Sequence, residues 1–193
     1  QPYDLQFSYN VLNLPSTVTK SDGSCSLTYT YLSDGTKVRA KVDGGFGSAY
    51  KGGFIYTVTP GGGLGIESVA WDEGRIIIGS DGTVAQDQWY VRDHLGNVRS
   101  VIDLKETTVA AAVKEQSDYL PFGTRVDMTN QGSGASDNRW RYAGKEEQRF
   151  GSGLLGIDLA KIDFGARFYD PYTARWTTPD PLASKYPAVS PYT

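Results

Sequence analysis

Two aspartates, each followed by a proline, are the residues of this chain best suited by type and spacing to chemistry. Asp170 and Asp180 lie ten positions apart, with turn-forming residues between them. Two carboxylates held close together can share a proton and activate a water molecule, as in aspartic proteases. An aspartate before a proline is also a common turn initiator or helix cap. The residues alone leave both roles open, and the structural role is the commoner one.

Other nucleophiles have few candidates, because the chain contains one histidine and one cysteine. A Ser-His-Asp arrangement would need His94, but no Gly-x-Ser-x-Gly sequence surrounds a serine, so a hairpin turn is the better interpretation of this histidine. Cys25 has no activating base nearby in sequence, which indicates a structural thiol. The glycine run 61–65 lacks a following lysine-threonine pair and predicts a loop, not a phosphate cradle. We expect no metal and no cofactor.

Charge and hydropathy exclude further classes of function. Lysine and arginine number 19 against 22 aspartates and glutamates, so no overall field would recruit nucleic acid or an anionic membrane. No apolar run approaches the length of a membrane-spanning helix, and residues 1–4 lack the features of a signal peptide. Residues 190–193 end without a helix cap or a charged tail. We therefore expect a piece of a longer protein, with no membrane insertion.

Short strands and tight turns must position these groups. The chain contains 23 glycines and 13 tyrosines, a composition typical of strands joined by turns. Alternating or β-branched stretches predict strands at 6–9, 27–31, 37–42, 55–58 and 75–78. Glycine-containing turn signals separate them at 21–23, 33–35, 43–45, 61–63 and 80–82. The pattern indicates successive antiparallel hairpins.

Helical structure is expected only as one or two short turns. Residues 109–116 fit a helix and a strand about equally well. Residues 181–186 can form one helical turn, with Asp180 as its cap. The serine- and glycine-rich stretch 131–136 predicts an exposed linker. The predicted fold class is therefore all-β, a ribbon of antiparallel β-hairpins with at most one or two short helical turns.

A tyrosine followed by polar residues and a turn recurs along the chain, and its later copies resemble a known family. Tyr90–Asp103, with the core Arg-Asp-His-Leu-Gly-Asn-Val-Arg, resembles the YD repeat of Rhs-family proteins. The residues after it resemble the Rhs repeat-associated core domain. The matching motifs, in order, are Tyr119-Leu120-Pro121-Phe122-Gly123, Tyr142-Ala143-Gly144-Lys145-Glu146, Phe164-Gly165-Ala166-Arg167-Phe168-Tyr169-Asp170-Pro171, Arg175-Trp176, Asp180-Pro181-Leu182, Tyr186-Pro187 and Ser190-Pro191-Tyr192. The resemblance divides the chain into degenerate YD-repeat-like hairpins at 1–85 and an Rhs core at 86–193.

The resemblance implies a specific architecture. In Rhs and related toxin-complex proteins, YD repeats form a β-ribbon that spirals into a hollow shell, and the core domain closes one end around a C-terminal segment, often a toxin. In some members the core is also an aspartyl self-protease that releases this segment. Asp170 and Asp180 match the two Asp-Pro positions of the family, and Arg167 is the arginine that precedes the first. Ala174 stands where the family usually has glycine. The family is mostly secreted or attached to the cell surface.

Three hypotheses of function follow. The first is a structural core module of a polymorphic toxin or surface protein, whose partners are the rest of the parent Rhs chain and its C-terminal cargo. It predicts an exposed sheet edge near residue 1, through which an excised fragment can form a homodimer. The second, a self-protease, predicts Asp170 and Asp180 within hydrogen-bonding reach and Arg167 nearby. The third, an extracellular carbohydrate- or protein-binding module, predicts coplanar exposed aromatic rings; stacking of tyrosines as a ladder on a sheet is the alternative for such rings.

Overall fold

The structure of the protein is a computed structural model, and it describes residues 5–126, 138–150 and 157–192. The linker expected at 131–136 lies outside these residues. Strands dominate the described chain, and its helical turns are short, which confirms the all-β prediction.

One long antiparallel sheet contains most of the strands. Its eleven strands follow one another in the order of the chain, so each strand pairs with the next through a hairpin. They are β1 (Leu5–Tyr9), β2 (Pro15–Lys20), β3 (Ser26–Tyr31), β4 (Lys37–Val42), β5 (Gly47–Lys51), β6 (Phe54–Val58), β7 (Leu64–Trp71), β8 (Gly74–Ile78), β9 (Val84–Arg92), β10 (Val98–Asp103) and β11 (Val113–Gln116). We call this sheet the ribbon. Its outermost strands are β1 and β11.

The hairpin turns use one recurring device. Aspartates at the turns accept a hydrogen bond from the backbone N–H two residues ahead, as Asp34 does from Thr36 at 2.8 Å and Asp81 from Thr83 at 3.0 Å. The following Gly35 has a φ of 88°, a left-handed conformation that glycine adopts without a steric penalty. The predicted turn signals are confirmed as hairpin turns.

Two smaller sheets follow the ribbon. A two-stranded hairpin consists of β12 (Asp118–Tyr119) and β13 (Arg125–Val126). A four-stranded antiparallel sheet, which we call the cap sheet, consists of β14 (Glu146–Phe150), β15 (Ile157–Asp163), β16 (Phe168–Asp170) and β17 (Arg175–Trp176). Residues 109–116, which fit helix and strand equally, contain both: a single turn, α1 (Val109–Ala112), leads directly into β11.

The main hydrophobic core lies between the ribbon and the cap sheet. In β3 the side chains alternate, with Leu27 and Tyr29 buried and the intervening threonines exposed. The Tyr29 ring makes edge-to-face contacts with Phe150, at 6.2 Å between ring centroids, and with Phe168, at 5.6 Å. Other buried members of this core are Val18, Cys25, Ala40, Val42 and Leu159. The cap sheet therefore covers the face of β2, β3 and β4.

A second, smaller cluster lies further along the ribbon. Tyr90, Val98 and Val101 of β9 and β10 pack together there, with Trp140 against them. The boundary expected between residues 85 and 86 falls within β9, which spans Val84–Arg92. Because residues on both sides of this boundary belong to the same sheet, the structure does not separate the two regions, and the boundary stays a prediction.

Candidate functional site at the cap sheet

Asp170 ends β16 and begins the turn to β17. Its carboxylate accepts hydrogen bonds from the Lys161 ammonium of β15, at 2.9 Å, and from the backbone N–H of Tyr172, at 3.0 Å. Burial acts to raise the pKa of the Asp170 carboxyl, but these two donors outweigh it and lower that pKa below its ordinary value. Asp170 is therefore an ionised turn residue with its own cation.

Asp180 begins the last helical turn of the described chain. One carboxylate oxygen accepts from the backbone N–H of Leu182 at 2.7 Å, and the other from the Arg167 guanidinium at 2.9 Å. The short 3₁₀ helix Ala183–Lys185 follows, but its N-cap residue is Leu182 and no side chain caps it, so Asp180 holds the turn before the helix and the prediction that it caps the helix is wrong. The Arg167 guanidinium also lies over the Trp176 ring, at 4.3 Å from its centroid. This ring contact and the ion pair fix the position of Arg167.

The structure thus brings Arg167 to Asp180 and gives Asp170 a different cation, Lys161. A carboxylate dyad that shares a proton requires two like charges facing each other, which raises the pKa of one of them. Here each aspartate faces a cation of its own, an arrangement that favours two ionised carboxylates. Self-proteolysis by these residues stays a prediction, and no contact described for them favours it.

The remaining candidates have structural surroundings. His94 lies in the turn between β9 and β10, as predicted. Cys25 is buried in the main core, and burial raises the pKa of its thiol, which makes the thiolate scarce. Residues 61–63 form the turn between β6 and β7. Within the described ranges, no group of three or more His, Cys, Asp or Glu side chains is arranged to hold a metal ion.

The functional arrangement that sequence reasoning missed is a buried polar interface between ribbon and cap sheet. The Lys37 ammonium of β4 lies 2.6 Å from a Glu146 carboxylate oxygen and 2.6 Å from one of Asp163. The Tyr50 hydroxyl of β5 donates to the other Glu146 oxygen at 2.7 Å. Burial acts to raise the pKa of Glu146, but Lys37 and Arg139 outweigh it and lower that pKa from 4.5 to about 2. The Lys37 ammonium therefore links the ribbon to two strands of the cap sheet, β14 and β15.

Two arginines extend this interface along the ribbon. Arg139 donates to the Ser48 hydroxyl of β5 at 2.9 Å. Arg141 donates to the Glu115 carboxylate of β11 at 2.9 Å and also binds Glu147 of β14. The contacts thus reach from β4 and β5 to β11. Such an interface holds the cap sheet in one orientation on the ribbon.

The aromatic side chains pack on one another at varied angles. Tyr142, in the 3₁₀ turn Tyr142–Gly144, lies between Tyr119 of β12 and Tyr169 of β16, with centroid distances of 5.9 and 6.3 Å. Because these three rings belong to separate elements, the ladder on one sheet face stays a prediction. Tyr169 meets Trp176 at 64°. The coplanar exposed rings expected for a binding module stay a prediction.

Among the described residues, no helix has the length and apolar character needed to cross a membrane.

Comparison with solved structures shows which known fold this chain has. No protein-family model and no curated protein matches the chain. A crystal structure of TcdB2-TccC3 matches 92% of the chain with a TM-score of 0.70 and 16% identity, and one of TcdB2-TccC3-Cdc42 matches 92% with 0.69 and 17%. A Photorhabdus luminescens Tc holotoxin pore with a mutation in TccC3 matches 97%, with a TM-score of 0.73 and 16% identity. The chain spans 9% of the length of each of those chains. It therefore has the fold of a segment of these Tc toxin chains.

Proposed function

We propose that this chain is a structural core module of an Rhs-type toxin or surface protein, which closes one end of a β-shell and presents or encloses a C-terminal cargo. Residues 1–85 would continue the YD-type ribbon, and residues 86–193 would form the closing core. The partners are the rest of the parent chain and the cargo. The setting is extracytoplasmic, either secreted or at the cell surface. The likeness of fold to Tc toxin chains supports this proposal.

One observation carries the proposal: the cap sheet is anchored to one face of the ribbon by both apolar and ionic contacts. Tyr29 packs on Phe150 and Phe168, and Lys37 binds Glu146 and Asp163. A sheet that folds back on a ribbon and is fixed there by a buried ion pair is suited to close the end of a larger shell. The cap sheet covers a part of the ribbon that would otherwise be exposed to water.

Limited proteolysis of the parent chain tests this function. We expect the segment that follows Thr193 to resist protease in the native protein, because the closed shell excludes the enzyme. Lys37→Met removes the cation between Glu146 and Asp163, so the same segment should be digested faster. Lys51→Met, at an exposed position on β5, is the matched control and should behave as the native chain. A parent chain without a following segment, or with one that is digested at once, would contradict the proposal.

A further inference from the structure

Lys37 lies between two carboxylates that face each other across the cap sheet. Glu146 of β14 and Asp163 of β15 are directly opposite partners in their antiparallel pair, so their side chains lie on the same face of the sheet. The Lys37 Nζ atom lies 2.6 Å from an oxygen of each. A nitrogen in hydrogen-bond contact with a carboxylate oxygen lies roughly 3–3.5 Å from the carboxyl carbon, which is the separation of a near-attack arrangement. The three side chains therefore supply a nucleophile, a carboxyl carbon within its reach and a second carboxylate that can move protons.

The surroundings of these three groups contain little water and are partly aromatic. The side chains of Lys37, Glu146 and Asp163 are 11%, 8% and 10% exposed. The centroids of the Tyr29 and Tyr50 rings lie 6.0 and 5.0 Å from the Lys37 Nζ atom. Burial penalises the charged forms of an amine and a carboxyl, but not a neutral amide that keeps its hydrogen bonds. Replacement of the ion pair by an amide and one released water is therefore favoured at this place in the fold.

Arg139 and the Tyr50 hydroxyl distinguish the two carboxylates. Glu146 accepts from the Tyr50 hydroxyl at 2.7 Å and lies 3.6 Å from the Arg139 guanidinium. Among the described residues, the cation that pairs with Asp163 is Lys37. If Lys37 lost its charge, Glu146 would still be neutralised by Arg139, whereas Asp163 would become an unpaired buried anion unless its own charge were lost as well. Asp163 is thus the carboxyl suited to react, and Glu146 is suited to stay ionised.

We propose that Lys37 and Asp163 form an intramolecular isopeptide bond, which joins the ribbon to the cap sheet covalently. Glu146 takes a proton from the Lys37 ammonium, and the freed amine attacks the Asp163 Cγ atom. Two of the three ammonium protons pass to Asp163 Oδ2, one after the other through Glu146, and the Cγ–Oδ2 bond breaks as water leaves. The third proton stays on the amide nitrogen, and Glu146 ends as the carboxylate that it was at the start. No further reactant enters the balance.

The backbone N–H of Gly165 stabilises the carboxyl oxygen that remains. It donates to Asp163 Oδ1 at 2.7 Å. Negative charge gathers on this oxygen as the amine attacks, so a donor that is already in place lowers the barrier. After water has left, Oδ1 is the carbonyl oxygen of the new amide and keeps the same donor.

The protonation of Lys37 makes this reaction slow. Burial acts to lower the pKa of the Lys37 ammonium, but Glu146, Tyr50 and Asp163 outweigh it and raise that pKa above its ordinary value. The free amine is therefore a minor species, and the freshly folded chain holds the ion pair. The bond accumulates afterwards, because its hydrolysis would require water to enter a buried site. This inference does not rest on the proposed shell function.

Intact mass spectrometry of the 193-residue chain, followed during incubation at neutral pH, tests the proposal. We expect a growing fraction whose mass is lower than that of the sequence by one water molecule. Trypsin should then release residues 21–39 joined to residues 162–167, because it does not cut after an acylated lysine. Lys37→Arg keeps the cation but has no primary amine, so it should retain the full mass. Lys41→Arg, on the same strand but at a lysine that donates to the Pro60 carbonyl, is the matched control and should lose water as the native chain does.

Glu146→Gln keeps the size of this side chain and removes the proton relay. We expect the bond to accumulate about a hundredfold more slowly in this variant. A rate equal to that of the native chain would overturn the role of Glu146, and the measurement on the native chain decides the bond itself even if Glu146→Gln fails to fold.

The aspartates that precede glycines in the hairpin turns can also lose water, by closing a succinimide ring. That loss would persist in Lys37→Arg and would not join two peptides. The proposal is overturned if the native chain keeps its full mass, if Lys37→Arg loses water to the same extent, or if no peptide that joins residues 21–39 to residues 162–167 is found.

Discussion

The Lys37 ammonium neutralises two carboxylates in a site where its own side chain is 11% exposed. Removal of one partner from a buried ion pair leaves an uncompensated charge, which typically costs about 3–5 kcal/mol. We expect Lys37→Met to lower the free energy of unfolding by about 3 kcal/mol, as measured by urea denaturation. Lys51→Met, on the exposed end of β5, should change it by less than about 0.5 kcal/mol. Equal effects of the two substitutions would contradict a stabilising role for this ion pair.

Glu146 makes the interface sensitive to acid. Its pKa in the folded protein is about 2, lower than the ordinary 4.5, so the folded state binds its proton less readily than the unfolded state does. The stabilisation is therefore complete above about pH 4.5 and is lost as the pH falls towards about 2. Urea denaturation of the native chain between pH 2 and 6, compared with Glu146→Gln, should show a gap between the two that narrows with acid. A gap independent of pH would contradict this assignment.

The two aspartates allow a direct test of self-proteolysis. Because each carboxylate already has its own cation, we expect the parent chain to remain uncut at this module. Intact mass spectrometry of the parent chain, with Asp170→Asn and Asp180→Asn beside it, measures this. Cleavage downstream of Thr193 that either substitution abolishes would establish the protease. Three intact masses would leave both aspartates as turn residues.

Only some of the contacts at this site could be predicted from the sequence. The turn role of Asp180 was predictable, because the hydrogen bond from the backbone N–H of Leu182 is local. The ion pairs of Lys37 and Lys161 were not predictable, since a lysine in an alternating strand usually lies on a solvated face. Their partners come from other strands, and those of Lys37 lie 109 and 126 positions away. No local pattern carries such a pairing.

At the scale of elements, the β16–β17 hairpin contains a strained residue. Ala174 has a φ of 55°, a left-handed conformation that costs a non-glycine residue roughly 1–2 kcal/mol. Ala174→Gly should therefore raise the free energy of unfolding by up to about 1 kcal/mol, measured by urea denaturation. Ala49→Gly, in the extended strand β5, should lower it by about 0.5–1 kcal/mol. The same sign for both substitutions would contradict strain at Ala174.

Five turns of the ribbon were predictable, because they depend on adjacent aspartates and glycines, whereas β2, β5 and β7 were not among the predicted strands. For residues 109–116 the sequence did not decide between helix and strand, and the structure explains why. The Thr108 hydroxyl accepts from the backbone N–H of Ala111 at 3.3 Å and caps a helix of only four residues. Val113–Gln116 then pairs with β10, since that strand offers an unpaired edge. Both predictions were therefore correct over part of the segment, the helix at 109–112 and the strand at 113–116.

At the scale of the whole molecule, β1 is an outer strand of the ribbon among the described residues, which agrees with the edge expected near residue 1. Such an edge can pair with a second copy of itself. We expect a concentration-dependent dimer in sedimentation velocity, and Gln6→Lys on β1 should shift it towards monomer. Thr30→Lys, at an exposed position of the interior strand β3, should leave it unchanged. A chain that stays monomeric at all concentrations would contradict this interface.

The docking of the cap sheet also determines the order in which the chain can mature. Hairpins of neighbouring strands form from local contacts and can assemble while the chain is still being synthesised. Lys37 and Tyr29 then remain open to water until the later residues Glu146, Asp163 and Phe168 have been synthesised and can dock on them. Loop closure over more than a hundred residues is slow. The final step of folding is therefore the one most exposed to misassembly, and a chaperone that shields β2, β3 and β4 would act at this stage.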